Sequence, residues 1–177
     1  MKLKALTAVL LASLMLYFGD VAGTAADIQL PKPDRTNADQ ATLDEFAAFY
    51  DGMEQALEAE DIDRIMTFYA DDYLHHGITK KQLRFMWLEI FGEFEDLYSV
   101  HVFSRIDVHG SDAIFACTGA LLGVPNDGKE YEAVDQWVNQ NHWLTKVDGK
   151  WKIIGGAAKE AATATRRGRM MELHSLF

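Results

Sequence analysis

One cysteine, three prolines and a shortage of basic side chains set the first limits on this 177-residue chain. A lone Cys117 cannot form an internal disulfide, so the fold must be held by its core. Cys117 lies in the apolar run IFACTGALLG, which suits a small buried hydrophobe, and no neighbouring charge marks it as a catalytic thiol. Lys and Arg number 17 against 27 Asp and Glu, giving a net charge of -10 and a pI near 4.9. That balance argues against a nucleic-acid partner, which needs clustered basic residues to meet phosphates. No glycine-rich phosphate loop, serine nucleophile elbow or cofactor fingerprint is present. The six histidines, His75, His76, His101, His109, His142 and His174, have no metal-ligand spacing. Neither a metal nor a cofactor is expected.

What is present begins with an export pattern. Lys2 and Lys4 precede an apolar run over residues 5–18, followed by Gly19-Asp20 and the small residues Ala22-Gly23-Thr24-Ala25-Ala26. The apolar run is shorter than the roughly 20 residues that span a bilayer. The pattern reads as a signal peptide over residues 1–26, removed after Ala26 or Ala25. Removal takes Lys2, Lys4 and Asp20 and leaves 15 basic against 26 acidic side chains. The expected location is periplasmic or secreted, with no membrane span after cleavage.

Residues 27–41 hold Pro31 and Pro33 without apolar periodicity, and read as a linker or mobile arm. A first helix is expected over 42–58, capped by Thr42 with Glu45 completing a capping box. It has Leu43, Phe46, Tyr50, Met53 and Leu57 on one face and Asp44, Asp51, Glu54 and Glu58 mostly on the other. A second helix, 62–70, is capped by Asp61, and a short strand follows at 73–77. A third helix, 80–94, is capped by Thr79 and carries Leu83, Met86, Trp87, Ile90, Phe91 and Phe94. Thereafter the chain alternates strands and short turns, at 100–108, 113–122, 130–147 and 150–157. Helices first and strands second argue an α+β domain with a largely antiparallel sheet. Within residues 158–177, Arg166, Arg167 and Arg169 form a small basic cluster, and the first half has helical composition.

Asp148-Gly149 between two β-rich runs predicts a type I′ hairpin with Val147 opposite Lys150, Lys146 opposite Trp151, Thr145 opposite Lys152 and Leu144 opposite Ile153. Trp151, Ile153, Leu144 and His142 then share one face. The run 130–147 is too long for a regular strand, so it must bulge. A bulge decides whether Asp135, Trp137 and Asn139 face inward or outward.

AEDIDRIMTFYADDYLHHG (59–77) and WLTKVDGKWKII (143–154) resemble the second helix, first strand and final hairpin of the nuclear transport factor 2-like superfamily. That superfamily includes SnoaL-like polyketide cyclases, ketosteroid isomerase, scytalone dehydratase and limonene epoxide hydrolase. The resemblance covers about residues 43–157, within a domain expected over 42–157. It implies a cone: a curved antiparallel sheet wrapped around three N-terminal helices, with a pocket at the open end and an outer sheet face suited to a homodimer. The mouth would be lined by Tyr50, Met53, His76, Trp87, Phe91, Asp135, Trp137 and His142. His76 is placed inward by strand alternation, and Asp135 is the carboxylate that would orient it or act as base. The ketosteroid isomerase pattern lacks one aspartate, and Arg105 with Asp107 fits an exposed salt pair better than an epoxide hydrolase set. Three readings follow: a small-molecule-binding protein with a partly apolar pocket, a general acid/base isomerase, cyclase or dehydratase, or a dimeric interaction module without catalysis.

The export reading has a direct check. Protein recovered from outside the cytoplasm is expected to begin at Asp27, or at Ala26 for the neighbouring cut, by intact-mass measurement. Recovered protein still carrying Met1 would overturn it.

Overall fold

The structure, a computed structural model, describes residues 27–156. The expected signal peptide and the extension 158–177 with its arginine cluster lie outside the described residues. Helix α1 is Gln40–Glu58, and its N-cap is Asp39, whose carboxylate accepts from the Thr42 N–H at 2.8 Å. The cap therefore lies one turn before Thr42, and the expected Thr42–Glu45 box does not form. Glu45 is used elsewhere, accepting from the Trp151 indole at 2.8 Å and pairing with Lys146 at 2.7 Å. Phe46, Phe49, Tyr50, Met53 and Leu57 are buried on the inner face. Removing a large apolar side chain from water is worth ~1.5–3 kcal/mol, so this stripe fixes the helix on the sheet.

Helix α2, Ile62–Met66, is capped by Asp61 as expected but stops short of residue 70. The backbone of 68–70 is claimed by the last strand: Ile153 N–H donates to Phe68 O at 2.9 Å and Ala70 N–H to Ile153 O at 3.0 Å. The strand expected over 73–77 is split by a turn into β2, Leu74–His75, and β3, Ile78–Thr79. Helix α3, Lys80–Glu93, starts with a full capping box between Thr79 and Gln82. It buries Leu83, Trp87 and Ile90.

The main sheet has five strands in the order β1-β4-β5-β6-β7. They are β1 (Asp27–Gln29), β4 (Phe94–His109), β5 (Asp112–Pro125), β6 (Glu132–Val147) and β7 (Lys150–Ile153). The β4–β5, β5–β6 and β6–β7 pairings are antiparallel, whereas β1 runs parallel to β4. Residues 27–41 thus form a strap and not a free linker. After β1, Thr36 bridges to Ile106, and the Asn37 side chain both donates to Val108 O at 2.9 Å and accepts from Val108 N–H at 2.6 Å.

The curvature comes from bulges. One extra residue enters β4 opposite Cys117 and Ala116, at Ser104, and another enters β6 opposite Thr118, at Val138–Asn139. Asn139 has φ 51, a left-handed conformation that Asn tolerates better than branched residues. The two bulges are linked: Ser104 Oγ donates to Ala116 O at 3.1 Å and lies 3.4 Å from Asn139 Oδ1, and Asn139 N–H donates to Thr118 Oγ1 at 2.9 Å. They form a crease across three strands. A second bulge on β6 falls at Val134, and another on β4 lies between Glu95 and Tyr98, where Asp96 has φ 52.

The final hairpin forms in the register read from Asp148-Gly149, with φ 52 and 77 at the two turn residues. Leu144, Trp151, Ile153 and His142 are all buried on its inner face. The result is a curved, largely antiparallel sheet holding three helices in its concavity.

Candidate functional site

The bulges decide which side chains enter the cone. On β4, alternation before Ser104 sends Ser99, His101 and Phe103 inward, and after it Ile106. A straight strand would have put Val100, Val102, Ile106 and Val108 on one core face. Arg105, displaced to the surface, forms a 2.7 Å ion pair with Asp107. On β6 the bulge at Val138–Asn139 brings Asp135 and Trp137 onto the same inner face as His142 and Leu144. Trp137 can turn inward because its strand partner is Gly119. A Cβ there would come within 2.6 Å of the Trp137 ring and 2.1 Å of Val100 O.

Five groups then form a polar row through the interior. On α1, Tyr50 and Glu54 are one turn apart and face β4 together. Glu54, 3% exposed, accepts from Ser99 N–H at 3.0 Å and from Ser99 Oγ–H at 2.6 Å. Ser99 Oγ lies 3.2 Å from His101 Nε2. The other ring nitrogen, His101 Nδ1, is 3.7 Å from Cys117 Sγ, which accepts from the Trp137 indole at 3.2 Å. Aromatic rings enclose the row: Tyr50 stands 4.6 Å from the His101 ring and 5.1 Å from Phe103, and Trp137 stands 5.2 Å from His101. The Tyr50 hydroxyl is fully buried and has no hydrogen-bond partner among the described residues.

Burial governs the protonation of this row. It raises the Glu54 carboxyl to about 7, more than the Ser99 hydrogen bonds lower it. It pushes the Cys117 thiol up to about 12, so Cys117 stays protonated and is no activated nucleophile. The Tyr50 phenol is held well above its ordinary value by the same desolvation and remains a hydroxyl. The arrangement can donate and accept hydrogen bonds and can hold one proton at Glu54 near neutrality. Among the described residues no group of three His, Cys, Asp or Glu side chains is placed to hold a metal ion.

The residues expected from sequence divide into two sets. Tyr50, Met53, Trp87, Asp135, Trp137 and His142 are buried in the interior. Asp135 accepts from its neighbour, the Gln136 N–H, at 2.8 Å. Trp87 donates from its indole to the Tyr69 hydroxyl at 3.1 Å, and Phe91, half-buried, is 5.9 Å from its ring. His76 is the correction. It is exposed with φ 47 on the β2–β3 turn, and His75 is the buried member of the pair. The turn interrupts the alternation on which the inward placement relied. His75 Nδ1 accepts from Gly156 N–H at 2.9 Å, and the His76 ring rests edge-on against it at 4.3 Å. With His76 turned to solvent, the relay expected between it and Asp135 does not form. Glu54, Ser99 and His101 were missed. The Tyr50-x-x-x-Glu54 spacing and the Ser99-x-His101 alternation were the available signals, hidden because Glu54 reads as part of a charged helix face.

No family model and no curated protein matches the chain. Solved structures do. A conserved protein from Planctomyces limnophilus superposes with a TM-score of 0.55 at 12% identity, covering 66% of this chain and 94% of that one. A structure from Xanthomonas campestris, named for a calcium/calmodulin-dependent protein kinase II association domain, gives 0.51 at 19% identity, covering 76% and 94%. One from Streptomyces avermitilis, named for a dehydratase of the NTF2-like family, gives 0.49 at 13% identity, covering 66% and 94%. What the chain shares with the Planctomyces and Xanthomonas structures is its fold, a curved, largely antiparallel sheet around three helices. The chain spans 42% of the length of Bdellovibrio bacteriovorus Bd1075, which it matches at 18% identity and a TM-score of 0.46 over 67% of its own length. Within this cone, the row from Glu54 to Trp137 is built on α1 and the three long strands.

Glu54 makes stability depend on pH. An acid whose folded pKa lies above its unfolded value binds an extra proton in the folded state between the two. The stability that neutral Glu54 contributes is therefore fully present below the unfolded value near 4.5 and is lost as pH rises through about 7. Urea unfolding is expected to show wild-type stability falling by ~2–3 kcal/mol relative to Glu54→Gln between about pH 4.5 and pH 8. Parallel profiles for the two proteins would remove the assignment.

Proposed function

We propose that this protein binds a small, partly apolar molecule in its cone, at the polar row beside Tyr50. The observation that carries this reading is the buried Tyr50 hydroxyl without a partner among the described residues. A buried polar group left unpaired costs about 1–3 kcal/mol, and a ligand carrying one acceptor would relieve that cost. Aromatic walls from Phe103, Phe115 and Trp137 favour a ring or other flat apolar body. The interior is packed, so entry requires side chains to shift. Met53, buried on α1 one turn beyond Tyr50, is flexible enough to give way. The cone architecture and the comparisons support the class of reading, not the ligand.

A second reading, general acid/base catalysis, gains one specific support. Glu54 exchanges its proton near neutral pH and is hydrogen-bonded to Ser99, whose hydroxyl contacts His101. In this reading Glu54 and His101 take the roles first considered for Asp135 and His76. Export to the periplasm or beyond stays part of the proposal, on the strength of the N-terminal pattern. So does a homodimer through the outer sheet face. That face presents Val138, 66% exposed, but not Trp137, which is inside.

Tyr50→Phe separates binding from folding. The variant is expected to be as stable as wild type or up to ~1 kcal/mol more stable, because an unpaired hydroxyl is removed. Neutral one- and two-ring carbonyl compounds that bind wild type, found by ligand-observed NMR, are expected to bind the variant about 5–10-fold more weakly. Equal affinity for both proteins, or no binder that perturbs the Trp137 indole signal, would sink the pocket reading. For the dimer, light scattering at micromolar concentration is expected to give twice the chain mass, and Val138→Lys to give the monomer. A monomeric wild type would end that part of the proposal.

A further inference from the structure

Where α1 meets β7 and the segment after α2 lies an open groove of about 520 Å³. Its lining comes from three places: Ala48 and Phe49 on α1, Thr67 and Phe68 after α2, and Lys150, Trp151 and Lys152 on β7. Phe49 and Phe68 meet edge to face at 5.3 Å and supply an apolar floor. Anions match the cations on its rim only in part: Asp71 acts on Lys152 but pairs directly with Lys80 at 2.8 Å. Glu45, the acid in the lining, is engaged by Lys146 at 2.7 Å and by the Trp151 indole at 2.8 Å. Lys150 is exposed at the turn. Lys152 reaches the Thr67 carbonyl, a neutral partner. Its ammonium is held below the ordinary lysine range, first by burial and then by the nearby charges of Lys80 and Lys150. A bound anion would relieve that repulsion. In a chain of net charge -10, an apolar trough edged by Lys150 and Lys152 is a local reversal of sign.

We propose that this groove is a binding site for a small amphiphilic carboxylate, with its hydrocarbon or aryl body on Phe49, Phe68 and Trp151 and its carboxylate at Lys150 and Lys152. The site shares no residue with the polar row, although the Phe49 ring on its floor stands 5.1 Å from Tyr50. Charge selects the occupant: the protein's own acidic surface repels anions elsewhere, and an uncharged amphiphile gains nothing from the lysines. Partial burial of the Lys152 ammonium beside the apolar floor makes its ion pair stronger than one in open water.

The experiment uses the full chain labelled with ¹⁵N and titrated with octanoate, with octanamide as the neutral probe. The four tryptophan indoles report the location. The expected result is a saturable shift of the Trp151 indole signal with those of Trp87 and Trp137 unmoved. Octanamide is expected to bind at least about tenfold more weakly, and Lys150→Gln with Lys152→Gln to weaken octanoate to the octanamide level. The Tyr50→Phe variant is expected to bind octanoate like wild type, which keeps this site distinguishable from the cone. No shift at Trp151, shifts at Trp87 and Trp137 alone, or equal affinity for acid and amide would each overturn the proposal.

Discussion

The interior of this protein depends on a crease in its sheet. Bulges at Ser104 on β4 and at Val138–Asn139 on β6 lie side by side across β5 and are joined through the Ser104, Thr118 and Asn139 side chains. Each bulge reverses the parity of its strand, so every inward-facing residue beyond it is selected by the bulge. His101 and Phe103 are inside because β4 has not yet reached its bulge at Ser104. Trp137 and His142, five positions apart, are both inside because the β6 bulge lies between them. Gly119 completes the arrangement by giving up a side chain where the Trp137 ring must lie.

Within that bend the chain buries a continuous run of polar groups. Glu54, Ser99, His101 and Cys117 run in line, each within contact of the next, and aromatic rings shield them from water. A low-dielectric setting makes satisfied hydrogen bonds stronger and unsatisfied groups more costly. Both effects appear together here: Ser99 binds Glu54 through two donors, while the Tyr50 hydroxyl finds no partner among the described residues. Glu54 has a second duty, because its carboxyl group accepts the backbone N–H of Ser99 on β4.

Much of the fold was legible because it rests on local rules. The Asp148-Gly149 turn fixes its own register, the Asp61 and Thr79 caps mark their helices, and the helix-then-strand order gives the fold class. What stayed hidden depends on long-range contact. Nothing near Met66 announces that residues 68–70 will be taken by β7, and nothing in residues 27–41 shows that Asn37 will bond to Val108. The site was half legible for the same reason. Tyr50, Met53 and Trp87 sit on helical stripes that read directly, and Asp135 and Trp137 were named with their orientation left open. His76 was misplaced because a two-residue turn interrupts its alternation. Glu54 was overlooked because a carboxylate on a charged helix face gives no local sign that a strand will cover it.

The pairing at the two margins of the sheet has a consequence for how this protein behaves in company. Beta-strands with unpaired edges recruit other chains, and a run as apolar as IFACTGALLG would be a strong template if it were reached. Here β5 sits in the middle of the sheet, and neither flank offers much purchase. Beyond β4 lies a three-residue strand followed by the Asn37 side chain, and beyond the four residues of β7 lies the backbone of 68–70. The strap and the broken helix act as selvedges. By covering part of each margin they limit how far a strongly curved, apolar sheet can be extended sideways by strands from other copies.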